Sequence, residues 1–148
     1  MSVTFSRAWR GTRQFLQRDP NFALANANMG TASYHLCDFP AAEQYLRRAI
    51  SLSPASPRQY LGVGMVCYHT GRLPEAVQLL RRAITMDPAG AGYHVALGTA
   101  LMSPNDYREA GDQFRAELRL HPNLPAAKTL LSLCEQGLTE SNGVRAHQ

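Results

Sequence analysis

Apolar and small residues recur along this chain in columns that lie 34 positions apart. Met29, Val63 and Leu97 form one apolar column, Phe39, Leu73 and Tyr107 a second, and Leu46, Leu80 and Phe114 a third. Gly30, Gly64 and Gly98 make a glycine column, Ala42, Ala76 and Ala110 an alanine column, and Pro20, Pro54, Pro88 and Pro122 mark the same interval. Between these markers the spacing predicts first helices over 24–36, 59–69 and 93–102, and second helices over 41–52, 75–86 and 107–120. A fixed period of this length signals stacked units, each of which buries its apolar face only against its neighbours.

Each column has a physical reason. A glycine inside a helix costs about 1 kcal/mol relative to alanine, so its recurrence implies a crossing too close for a side chain. The alanine column is expected to supply the opposing surface. Pro40 and Pro74 fall where a second helix begins, a place that tolerates a missing N–H, and Gly71 supplies the turn before it. The proline that closes each unit stops its second helix. Two columns break the pattern: the aromatic at Tyr60 is Asn26 and His94 elsewhere, and Ala49 and Ala83 are followed by Glu117. The latter predicts an altered packing register in the third unit, with Ala116 taking the small site.

The leucine-glycine pair, the small residue, the large apolar residue and the terminal proline, repeated from 21 to 122, resemble the tetratricopeptide-repeat family. The resemblance implies an all-α, right-handed solenoid of three helix-turn-helix repeats, 21–54, 55–88 and 89–122, whose first helices line a concave surface that holds a partner's peptide or helix. The corresponding groove positions are Leu24, Ala27, Asn28, Thr31, Tyr34 and His35 in the first unit. The second unit supplies Arg58, Leu61, Gly62, Met65, Tyr68 and His69, and the third Val95, Ala96, Thr99 and Met102. In that family a clamp of lysine, asparagine and arginine grips the C-terminal carboxylate of heat-shock proteins. Its positions here hold Ala27, Thr31, Gly62, Gly92 and Ala96, none of them a cation, so the resemblance implies a largely uncharged groove for an apolar strand or amphipathic helix. The run 60–64, the three-repeat size and the N-terminal helix are also similar to class II chaperones of bacterial type III secretion, which hold translocator segments. An assembly adaptor for a pilus or secretion system is the alternative.

The ends of such an array must cover its terminal apolar faces. Residues 123–138 read as a capping helix with Leu130, Leu131, Leu133 and Leu138 available for packing, and 139–148 as a disordered tail. Residues 1–20 align with a second helix whose first helix is absent, a half repeat. On its wheel Phe5, Ala8, Trp9, Thr12, Phe15 and Leu16 form one stripe, with Arg7, Arg10, Arg13 and Arg18 on the other face. This helix can cap the first repeat, form a homodimer through Phe5, Trp9, Phe15 and Leu16, or lie on a membrane surface.

Composition narrows the function classes. The net charge of +4 sits almost wholly in the first twenty residues, where four arginines face one aspartate, and the remainder is nearly neutral. Arg47, Arg48, Arg81, Arg82 and Arg115 suggest a basic ridge, but interspersed carboxylates and the lack of interleaved aromatics favour a solvated face over nucleic-acid binding. The three cysteines, Cys37, Cys67 and Cys134, fit neither a disulfide framework nor a zinc site. His35 and His69 lack a third partner for a metal. No phosphate loop, nucleophile elbow or paired catalytic carboxylates occur, so neither catalytic residues nor a cofactor are expected. The sequence thus predicts a non-enzymatic adaptor for another protein, without a membrane span and cytoplasmic, with the near-absence of lysine suggesting a GC-rich bacterial source.

Overall fold

The computed structural model describes the backbone of residues 3–102 and 106–145, and the side chains of 9–102 and 106–140. The described residues form eight helices and no strand: α1 (Val3–Arg18), α2 (Ala23–His35), α3 (Phe39–Leu52), α4 (Pro57–His69), α5 (Leu73–Met86), α6 (Tyr93–Met102), α7 (Tyr107–Leu120) and α8 (Pro125–Arg145). Pro20, Pro54, Pro88 and Pro122 each stand two residues beyond the end of a helix, α1, α3, α5 and α7 respectively, as stop signals should. The chain divides into two compact units, Met1–Arg72 with α1 to α4 and Leu73–Gln148 with α5 to α8.

In the first unit α1 packs on α2, α2 on α3, and α3 on α4. Leu46 of α3 is the wedge among them, 2% exposed. A Cβ added to Gly30 of α2 would lie 2.5 Å from the Leu46 Cγ, and one added to Gly62 of α4 would lie 2.9 Å from its Cδ1. In the second unit Phe114 of α7 fills the same role against Gly98 of α6, where a Cβ would lie 2.6 Å from the ring. The glycines at 30, 62 and 98 therefore make room for the large column, Leu46 and Phe114. Ala42, Ala76 and Ala110 are fully covered.

The turns reuse one device. Cys37, between α2 and α3, has φ +59, and Gly71, thirty-four positions later, has φ +78. Glycine takes this left-handed conformation freely, whereas Cys37 holds it at a cost. Asp38 then caps α3 by accepting the Ala41 N–H at 3.2 Å, and Asp106 caps α7 by accepting from Glu109 at 3.3 Å.

Both broken columns have local explanations. Asn26 is buried and donates its Nδ2 to the carbonyls of Pro20 at 3.0 Å and Phe22 at 2.9 Å. His94 reaches the carbonyl of Pro88 at 3.3 Å and Gln113 at 2.8 Å. The two polar residues thus tie a first helix to the proline six positions upstream. Glu117 stays in the buried column, 1% exposed, while Ala116 is half-buried, so the predicted register shift does not occur. The carboxylate is tolerated there because its Oε1 accepts the Gly92 N–H at 3.2 Å and meets His121 Nδ1 at 2.9 Å.

At the C-terminal end α8 packs on α7 and runs through Arg145, which corrects the expected end at Leu138. No proline lies between those residues to stop it.

Candidate functional site

A concavity of about 620 Å³ opens within the first unit, walled by α1, α2 and the start of α4. Leu24, Ala27, Asn28, Thr31 and His35 follow one another at helical spacing along α2 and line it together with Arg58 of α4. Met29 and Leu46 form its floor, and Trp9 and Thr12 of α1 its far wall. Leu24 is 61% exposed, and Asn28, Thr31, His35 and Arg58 are exposed as well, whereas Ala27 is covered. The Thr31 hydroxyl donates to the Ala27 carbonyl at 3.0 Å, so it is spent within its own helix. Among the described residues no carboxylate lines the cavity. Two polar atoms on the lining, Trp9 Nε1 and Gln59 Oε1, are shielded from water and have no hydrogen-bond partner.

Residues 29–91 match the family described as Tetratricopeptide repeat. Over that stretch the chain is similar to the tetratricopeptide-repeat family. No curated protein matches the sequence. Among solved structures, the crystal structure of MamA is similar with a TM-score of 0.83 and 21% identity, covering 91% of this chain and 79% of that one. The TPR domain of Arabidopsis OM64 gives 0.75 at 24% identity, covering 77% and 94%. The first TPR of Spaghetti (RPAP3), bound to the HSP90 peptide SRMEEVD, gives 0.76 at 17% identity, covering 79% and 93%. At these identities the likeness is one of fold, the all-α tetratricopeptide-repeat fold.

The other groove candidates lie elsewhere than the cavity lining. Tyr34, Tyr68 and His69 gather with Phe39 at the C-terminal ends of α2 and α4. The Tyr34 hydroxyl meets His69 Nε2 at 3.0 Å, and the His69 ring stacks on Phe39 at 5.2 Å. Burial, with smaller effects from Cys37 and Tyr68, pushes the Tyr34 phenol above its ordinary value, so it serves as a neutral hydroxyl. Leu61 and Met65 are half-buried on α4. In the second unit Val95, Thr99 and Met102 share a half-exposed face of α6, and the Thr99 hydroxyl donates to the Val95 carbonyl at 2.8 Å.

Of the residues assigned to oligomerisation, Trp9 is half-buried against the cavity, with the Arg13 guanidinium 5.2 Å from its ring centre. Phe15 is 45% exposed and meets Phe22 edge-on at 5.3 Å, and Leu16 is half-buried. The side chain of Phe5 lies outside the described residues. That Trp9, Thr12 and Gln59 line this cavity was not legible in the sequence. The available signal was the alignment of α1 with a second helix, which implies that its inner stripe borders the first α2.

One ion pair steadies the turn after this site. Glu43 of α3 accepts from Arg72 and Arg47, chiefly Arg72, and these hold its carboxyl below the usual glutamate range. A depressed folded-state value contributes stability above the unfolded value and loses it as pH falls through the folded one. Glu43→Gln is therefore expected to cost up to about 1 kcal/mol at neutral pH, this being a partly exposed pair, and to cost nothing once pH lies well below the glutamate range. Paired urea titrations at both pH values check this, and an equal loss at both would contradict it.

No helix among the described residues is long and apolar enough to cross a membrane.

Proposed function

We propose that this chain is a non-enzymatic adaptor that binds a segment of a partner protein in the concavity of α1, α2 and α4. The observation that carries the reading is the single cavity onto which Leu24, Ala27, Asn28, Thr31, His35 and Arg58 converge, the positions that the family uses for partners. Its size lies within the range of about 300–1,000 Å³ common to ligand sites. Its lining is mostly apolar or uncharged, suited to an apolar segment more than to a heavily charged one. The Spaghetti domain, seen with a peptide, supports the same use of the fold. An apolar contact of about 500 Å² would contribute roughly 12 kcal/mol against an association cost of about 4–15 kcal/mol, which gives micromolar binding. A cytoplasmic setting and a role in holding secretion or pilus subunits are compatible with this proposal.

Thr31→Arg tests it. Thr31 is exposed and bonded only within its helix, so the variant should melt within a few degrees of the parent. A long cation in the cavity is expected to weaken peptides selected by display on the intact chain by more than tenfold, about 1.4 kcal/mol. Unchanged affinity would remove the groove from the account.

A further inference from the structure

Glu117 stands where the repeat has Ala49 and Ala83, both fully covered. Alanine therefore satisfies the packing at this position, and the carboxylate is an addition that packing does not require. Its Oε1 is engaged by the Gly92 N–H at 3.2 Å and by His121 Nδ1 at 2.9 Å. Its Oε2 is shielded from water and has no partner, although the residue is only 1% exposed. A buried acceptor of this kind is costly unless a donor reaches it.

Glu117 borders a cavity of about 670 Å³ whose walls include Gly92, Leu120, Pro122 and Leu124. The space at Gly92 is open: a Cβ built there meets nothing within 4 Å. Among the described residues the ionisable group on the lining besides Glu117 is His121, whose side chain is 44% exposed. Among the described residues no lysine or arginine lines the cavity to meet Glu117 Oε2.

We propose that this cavity binds a primary alkylammonium group, with the nitrogen on Glu117 Oε2 and the methylene stem along Leu120, Pro122 and Leu124. Oxygen, walls and size each favour this class. A guanidinium fork needs two free oxygens, and Oε1 is already engaged, whereas an ammonium donates from a point. Methylene stems pack along apolar walls while the charged end finds its acceptor. Because Oε2 is shielded, the half-exposed ring of His121 moves aside to admit the group, while the Gly92 N–H keeps Oε1 engaged. The same chemistry is carried by a free polyamine and by the lysine side chain of a partner.

The test uses the full chain and amide chemical shifts, with n-butylammonium, putrescine and Nα-acetyl-lysine methylamide as probes and n-butanol as the neutral control. At millimolar concentration n-butylammonium is expected to shift the amides of Gly92 and His121, and n-butanol is not. Glu117→Ala should fold, because alanine fits this column, and should bind at least tenfold more weakly; Glu117→Gln keeps the side-chain shape and should lose binding as well. Putrescine binding more tightly than the lysine derivative identifies a polyamine site, and the reverse order a lysine-bearing partner. Equal binding by parent and Glu117→Ala, or n-butylammonium no better than n-butanol, would overturn the proposal.

Discussion

Phe114→Ala is expected to destabilise the protein by about 3–5 kcal/mol, the cost of removing a fully enclosed aromatic ring. The side chain is 0% exposed, and its ring lies against the bare backbone of Gly98, at a distance that leaves no room for a Cβ. The helices cannot simply close over the void, because a glycine contributes no side chain that could move into it. Urea unfolding followed by helical circular dichroism reads the loss directly. A cost below about 1 kcal/mol would mean that the site collapses freely and that α6 and α7 are not held by this contact.

Gly30→Ala is expected to cost about 1–3 kcal/mol by overpacking, against a helix-propensity gain of about 1 kcal/mol in an open helix. The added methyl would lie 2.5 Å from Leu46 Cγ, whereas one added at Gly11 meets nothing within 4 Å. Gly11→Ala should therefore stabilise while Gly30→Ala destabilises. Leu46→Ala is costly alone, by about 2–5 kcal/mol, but it removes the atoms that the new methyl would strike. The double variant Gly30→Ala with Leu46→Ala is then expected to be more stable than the sum of the single losses predicts, by more than about 0.5 kcal/mol. Additive losses, or stabilisation by both glycine replacements, would refute the close approach of α2 to Leu46.

The helices were legible because the 34-residue interval pairs a stop signal at Pro20, Pro54, Pro88 and Pro122 with fixed apolar positions, and such punctuation is local. The close approach of Leu46 and Phe114 to the glycines was not, since it depends on how the helices cross in three dimensions. Glu117 misled for a related reason: a carboxylate in an alanine column reads as a slip, and the donors that retain it, Gly92 and His121, come partly from the loop before α6. That Leu24, Ala27, Asn28, Thr31 and His35 line one cavity follows from their spacing on one helix. Tyr34 lies about 100° round the same helix from His35, and its partners Phe39 and His69 come from two other helices. The stripe that holds Trp9 leaves capping, dimerisation and a membrane surface open in the sequence, and the packing of α1 on α2 fits the first of these.

That placement makes Trp9 the reporter for the central claim, since it is the sole tryptophan and borders the cavity. Peptides selected by display against the intact chain should be titrated while Trp9 emission and its quenching by acrylamide are followed. Binding in the groove predicts a blue shift and protection from quenching that saturate with the binding curve, both lost in Thr31→Arg. Peptides that bind the parent and Thr31→Arg alike and leave Trp9 emission unchanged would contradict partner binding in this concavity.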